Sequence, residues 1–331
     1  RLWSTPRGYS LIRPSFRPKL QNKVDQSRRP ATRATGDDGG LMFSALSLAL
    51  IASLYVLGLF VIAWWGDRRR DRTAPRPFTY ALSIGVYATS WTFFGGVGRA
   101  SDAGWEFVPI YLGPILVFLF ATPVLRKILT VAKAQNIVTI ADFIAARYGR
   151  DARLAALVTL IAVLGSVPYI ALQLKAVAMS FEVLSDSSAG SDTALYIAML
   201  MALFAVLFGT RHVDSTEKHQ GMVQAVAFES VIKLTAFLGV GAFVSFIVFA
   251  NPVEMVRQSS NHVLTQPFEL TPVLLTQTVL AMLAALCLPR QFHITVVENT
   301  AISDLKTARW LFPLYLFVAA LFVAPIAMSG D

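Results

Sequence analysis

Tyr80-Ala-Leu-Ser-Ile-Gly-Val-Tyr-Ala-Thr-Ser-Trp-Thr-Phe-Phe-Gly-Gly96 is apolar for two turns and then gathers hydroxyls, aromatic rings and glycines. Within a membrane, such a composition suits a helix that opens at mid-depth. Thr89, Ser90, Thr92, Gly95 and Gly96 weaken regular packing and offer alternative hydrogen bonds, so backbone groups are freed to meet a ligand or cation. Irregular backbone at that depth is tolerated only where protein encloses it or it lines a cavity. A small-residue face for helix packing reads equally well from the residue types alone.

The flanking sequence places this stretch in a membrane. Eight apolar runs cover roughly Leu41–Trp65, Phe78–Gly98, Glu106–Leu125, Leu154–Leu184, Thr193–Gly209, His219–Ala250, Thr271–Leu288 and Thr307–Met328. Each reaches or approaches the roughly 20 residues a helix needs to cross the hydrocarbon layer. Hydrophobic residues make up 55% of the chain and charged ones 15%, with a mean hydropathy of +0.57, too apolar for a soluble chain. The expected fold class is therefore all-α, a polytopic membrane helix bundle in the cell inner (plasma) membrane.

Basic residues concentrate in alternate gaps. Arg68 to Arg70, Arg72 and Arg76 follow the first run; Arg126, Lys127, Lys133, Arg147, Arg150 and Arg153 follow the third. Arg211 and Lys218 follow the fifth, and Arg290, Lys306 and Arg309 the seventh, whereas the remaining gaps hold only Arg99 and Arg257. By the positive-inside rule the core begins outside and, after eight crossings, ends outside.

Residues 1–40 carry nine basic and three acidic side chains without apolar periodicity, and read as disordered. Their charge conflicts with an external start, and the first methionine is Met42. The native chain is expected to begin near it, leaving a symporter-like domain over 41–331. The net charge of +9 is explained by this segment and the basic loops, so no nucleic-acid partner is implied. Cys287 is the only cysteine, which excludes an internal disulfide and a cysteine zinc site. No phosphate-binding G-x-x-x-x-G-K-[ST] loop occurs, and no catalytic constellation assembles.

The seventh run ends at Leu288-Pro289-Arg290-Gln291-Phe292-His293 and is followed by apolar Ile294–Val297. A helix continuing to Val297 would break at Pro289 and turn Arg290 and Gln291 toward a cavity; alternatively the span stops and Arg290 anchors it at the interface. Interrupted segments in spans two and seven are the pattern of an inverted-repeat transporter with a midplane site. In the sixth span Glu229 and Lys233 stand four residues apart, an intramembrane pair that is either structural or an ion relay. Gln173 is a candidate for the solute path, and Lys175 is expected at the outer interface. The loop Asn136–Gly149 reads as a short interfacial helix capped by Thr139, with Ile140, Phe143, Ile144 and Tyr148 on its apolar face.

Several stretches resemble the sodium:solute symporter family, which has a leucine-transporter-like inverted-repeat fold: Ala81–Gly85, Ile137–Gly149, Tyr169–Ala176 and Asp214–Gln224. Tyr87–Ala100, Ala227–Leu234 and Pro289–His293 are more narrowly similar to the subgroup fused to sensor histidine kinases. The resemblance implies a first repeat from spans two to six and an incomplete second repeat. It also implies a cation half-site at the Tyr87 and Ser90 carbonyls, with Na+ or H+ as coupling ion. The position aligned with an acidic residue in the proline-transporting branch is Ala88 here, which leaves sodium coupling open. The expected ligand is a small zwitterion, an amino acid. Its contacts are expected from Ser90, Trp91, Thr92, Phe93, Gln173 and Gln291, with Arg290 holding the carboxylate. Downstream kinase modules and a response regulator are the expected partners of a two-component system; a stand-alone cation-coupled symporter is the alternative.

Overall fold

The computed structural model describes residues 45–68, 75–185, 220–249, 251–260 and 262–330, together with Leu195, Ala198, Met199 and Ala202. The segment 1–40, most of the fifth run, and Arg211 and Lys218 lie outside the described residues. Every regular element among the described residues is helical. Helix α1 covers Ala45–Asp67; α2, Pro77–Ser83, continues as a 3-10 turn to Tyr87; α3 covers Ser90–Ala103; α4, Val108–Phe120; and α5, Thr122–Ala134. Then come α6 (Ile140–Arg147), α7 (Ala152–Ser185), α8 (Gln220–Phe243), α9 (Pro252–Gln258), α10 (Pro272–Cys287), α11 (Pro289–Phe292) and α12 (Leu305–Met328).

Five continuous stretches among the described residues are long and apolar enough to cross a bilayer, six if α10 and the segment after it count as one bent span. Eight were expected. Part of the difference is the fifth run, which is largely undescribed. The rest comes from the second and third runs, which are counted together as Thr92–Phe120 by length and composition although the chain turns at Gly104 between two separate helices. Gly104 has φ +59°, a conformation side chains oppose, and a Cβ there would meet Val263. The chain doubles back at this point, for the Tyr111 hydroxyl donates to the Thr92 carbonyl at 3.1 Å and sets α4 beside α3.

The core gathers around α4 and α12, whose Phe118 and Phe312 rings meet edge-on with centroids 4.7 Å apart, both fully buried. Lipid tails are as apolar as these side chains, so close packing rather than water exclusion selects the contacts. The crossing of α4 over α10 is tight enough that a Cβ on Gly113 would lie 2.5 Å from Ala281. At the crossing of α1 and α8, the Gly221 amide donates to Asp67 at 2.7 Å, and a Cβ on Gly221 would strike the Ala63 carbonyl. Along the membrane windows of α1 and α7 no residue is buried, as expected of helices on the flank of a bundle.

The expected interfacial helix forms as α6, and the Thr139 hydroxyl accepts the Asp142 amide at 3.0 Å. Its face is rotated from expectation. Ala141 and Ala145 are buried, while Tyr148 is 67% exposed because it closes the helix just before Gly149 turns to φ +70°. Phe143 does face inward, meeting Phe292 of α11 at 5.8 Å.

Candidate functional site between two helix breaks

Span two is broken between α2 and α3. Ala88 (ψ 95°) and Thr89 (ψ 176°) are extended, and a new helix starts at Ser90. The Thr92 hydroxyl bridges the gap, accepting the Thr89 amide at 3.1 Å and donating to the Tyr87 carbonyl at 3.3 Å. Two backbone groups that an unbroken helix would pair internally are thereby satisfied, as burial in a membrane demands. The Tyr87 carbonyl expected to face a cation is therefore already engaged on one side.

Span seven is broken as well. Leu288 adopts ψ 128°, Pro289 starts a new helical segment, and the two parts meet at 53°. Proline contributes no amide at the first helical position, where none is needed, so the break is fixed without a capping side chain. The chain then widens into a π-helical turn over His293–Val297. Beyond Leu288 the chain stays helical to Val297, and Gln291 and Phe292 are buried, the arrangement of a broken span or a re-entrant turn.

Three side chains tie the breaks together. Arg290 Nη2 donates to the Tyr169 hydroxyl at 3.1 Å, and that hydroxyl lies 3.0 Å from Thr89 Oγ1. Because the guanidinium can only donate, the Tyr169 oxygen accepts from it and its proton is free to point to Thr89. The guanidinium carbon also stands 5.3 Å from the Tyr169 ring centroid. Among the described residues no carboxylate pairs with Arg290, and its buried Nε has no partner. A half-buried cation served by one neutral hydroxyl is short of negative charge, and an anionic group brought to it would supply that charge.

On the other side of Arg290, Gln291 is fully buried. Its Nε2 reaches the Ile84 carbonyl and Thr295 Oγ1 only at 3.4 Å each, and its Oε1 has no partner. The Tyr80 hydroxyl closes the same seam by donating to the Thr295 carbonyl at 2.7 Å.

The expected site residues thus separate into groups. Thr92, Arg290 and Gln291 come together at the seam with the Tyr87 carbonyl. Ser90 is half-buried in the first turn after the break, and the Trp91 side chain lies outside the described residues. Phe93 is held elsewhere, its ring packed on Phe237 of α8 at 4.8 Å. Gln173 is half-buried one turn beyond Tyr169 on α7, and Lys175 is exposed. Glu229 and Lys233 pair at 2.6 Å with each side chain 29% exposed. Their neighbour Ser230 packs against Gly85, one turn before the first break. Thr89 and Tyr169, the two hydroxyls joining the breaks, were not among the expected site residues. The signals for Tyr169 were its place at the head of the family-resembling stretch Tyr169–Ala176 and beside Pro168 in mid-span.

The sodium:solute symporter family profile matches residues 76–327. Among curated proteins, an uncharacterized symporter, YhjB of Bacillus subtilis (strain 168), is 29% identical over 116 residues, covering 35% of this chain and 23% of the relative. No solved structure matches. With the profile spanning most of the chain and both helix breaks inside it, this multi-pass membrane protein belongs to the sodium:solute symporter family.

Proposed function

We propose that residues 41–331 form the solute-recognition part of a transporter-like domain and that the solute is an amino acid. The observation that carries this reading is the Thr89–Tyr169–Arg290 connection between two broken spans. A solute carboxylate would engage Arg290 in place of, or together with, the Tyr169 hydroxyl. The hydroxyls and amides of Ser90, Thr92, Gln173 and Gln291 would take its remaining polar groups. Alternating access then requires the halves of the two spans to rock about that point, with a coupling ion contributing through its unequal affinity for the two states. Na+ or H+ fills that role in this reading, with the Tyr87 and Ser90 carbonyls and the Glu229–Lys233 pair as the groups to test.

Thermal shift of the purified full chain against the common amino acids, repeated with Arg290→Ala, tests the reading. Stabilisation by at least one amino acid that disappears in the variant supports it. Equal stabilisation of both proteins returns Arg290 to an anchoring role.

We further infer that the domain is the sensory input of a histidine kinase, on the similarity of Tyr87–Ala100, Ala227–Leu234 and Pro289–His293 to that subgroup. A stand-alone symporter is the second reading, favoured by the naming of the Bacillus relative as a symporter. Reading the gene beyond Asp331 separates them: a histidine-bearing dimerisation helix and an ATP-binding domain support the first, and further spans followed by a stop codon support the second.

A further inference from the structure

The turn between α6 and α7 gathers three arginines, Arg147, Arg150 and Arg153, around the acid Asp151. Gly149 and Arg150 both take left-handed φ, +70° and +58°, and the Arg150 amide donates to the Ala145 carbonyl at 2.9 Å to close the end of α6. Glycine accepts that conformation freely, whereas a residue with a side chain such as arginine rarely does. All three arginines are exposed, as is the Tyr148 ring between them in sequence. Asp151 is occupied with the start of α7, where its Oδ1 accepts the Arg153 and Leu154 amides at 2.7 and 3.3 Å. Among the described residues no carboxylate pairs with any of the three guanidinium groups, and Arg150 alone finds an acceptor, the Gln135 carbonyl at 3.4 Å.

What lies beside the arginines selects the kind of anion. The stretch Ala152–Leu184 is long and apolar enough to cross a bilayer, so Arg153 in its first turn stands at headgroup depth. Further along the same helical face come Leu157, Leu160, Ile161 and Leu164, each more than half exposed. A soluble anion has no use for that stripe, but an acyl chain does. The other side of α6 faces inward: Ala141 and Ala145 are buried, and Phe143 meets Phe292, next in sequence to Gln291, with ring centroids 5.8 Å apart.

We propose that the turn between α6 and α7 binds the headgroup of an anionic phospholipid, and that the bound lipid stiffens the second helix break through the Phe143–Phe292 contact. The lipid phosphate sits among Arg147, Arg150 and Arg153, the Tyr148 ring lies at headgroup level, and an acyl chain follows the α7 stripe. A zwitterionic headgroup offers the same phosphate but brings its own cation toward the arginines, and so binds more weakly. Each basic side chain at an anionic lipid surface contributes about fivefold.

Native mass spectrometry of the purified full chain, given equimolar phosphatidylglycerol and phosphatidylcholine in neutral detergent, counts the retained lipid. Phosphatidylglycerol is expected to be preferred by about tenfold or more. The preference is expected to fall to near parity in Arg147→Gln/Arg150→Gln/Arg153→Gln and to persist when the same three positions are changed to lysine. Arg153→Gln alone, expected to lose about fivefold, carries the test if the triple variant fails to fold. Lys306→Gln/Arg309→Gln, which removes two exposed charges from another basic loop, is expected to change nothing. Equal retention of the two lipids by the parent, or a preference indifferent to the arginine substitutions, would overturn the site. Displacement of the lipid by millimolar inorganic phosphate assigns the arginines to a soluble anion and overturns it equally.

Hydrogen–deuterium exchange in nanodiscs reads the second half of the proposal. The amides of residues 291–297 are expected to exchange about threefold or more slowly when phosphatidylglycerol is added to phosphatidylcholine. Phe143→Ala is expected to abolish that slowing while leaving lipid retention intact. Exchange indifferent to the lipid, or slowed equally in Phe143→Ala, would overturn the link to the break. Neither readout involves solute, so both stand apart from the reading of Arg290 as a carboxylate site.

Discussion

The two helix breaks differ in how they are made. The first, at Ala88–Thr89, is stitched by a side chain, the Thr92 hydroxyl serving an amide on one strand of the gap and a carbonyl on the other. The second, at Leu288–Pro289, is imposed by the backbone, because proline neither donates nor fits the preceding turn. A break held by one exchangeable hydrogen-bonding group is able to rearrange when a ligand offers better partners; one set by covalent ring geometry stays bent. The first break is thus suited to respond to solute and the second to hold Arg290 in a fixed place.

The severest test of that division is Arg290→Ala. Removing the charge from the rigid break while a carboxylate is left without its partner is expected to weaken solute binding by 100-fold or more, consistent with the roughly 2–5 kcal/mol lost when one member of a buried charge pair is truncated. Isothermal titration with the best amino acid from the thermal screen gives the number. A loss below threefold removes Arg290 from the site.

Next in size is Pro289→Ala. Restoring an amide and relieving the ring clash lets α10 run straight on, at a gain in helix propensity of about 3 kcal/mol that competes with the packing of Phe292. The expected result is a protein of equal or higher melting temperature whose solute affinity falls about 10- to 30-fold, because Arg290 swings away from Tyr169. Retained affinity would mean that packing around Gln291 and Phe292, not proline, sets the bend.

Both breaks were legible in residue types, though unequally. Pro289 inside an apolar run announces a bend, but the same residues also fit a span that ends there. The helical continuation to Val297 and the burial of Gln291 and Phe292 favour the bend. The cluster Thr89, Ser90, Thr92, Gly95 and Gly96 announced an opening without saying which hydroxyl would bridge it. Tyr169 was illegible because its role depends on α7 passing within hydrogen-bond reach of two other spans, a tertiary fact with no local periodicity. Phe93 packs its ring on Phe237, a contact equally absent from local periodicity because it depends on α8 passing beside α3. In α6 the expected apolar face holds in part, with Ile140 and Phe143 packed against the core, while the small Ala141 and Ala145 permit the closest approach and Tyr148 stays exposed.

Thr92→Val probes the first break with an isosteric side chain. The substitution leaves the Thr89 amide and the Tyr87 carbonyl without their bridge, and unsatisfied buried polar groups cost about 1–3 kcal/mol each. The melting temperature is expected to fall clearly, with Thr92→Ser restoring most of it, since serine keeps the hydroxyl and loses only a methyl group. A valine variant as stable as the parent would show that the break closes through other groups, and the responsive half of the comparison would lose its basis.

The smallest expected effect belongs to Tyr169→Phe. The hydroxyl contributes one contact to each break, a neutral hydrogen bond to Thr89 worth about 0.5–1.5 kcal/mol net and one from the Arg290 guanidinium worth about 1.5–3 kcal/mol, while the ring remains to face the guanidinium. If solute carboxylate replaces this hydroxyl at Arg290, its removal frees the arginine before binding, and affinity is expected to rise or stay within about threefold while the apo protein loses some thermal stability. If solute instead binds alongside Tyr169, affinity falls by about 10-fold. The sign of the change therefore decides whether the link between the breaks is a latch that solute opens or a wall of the site that solute keeps.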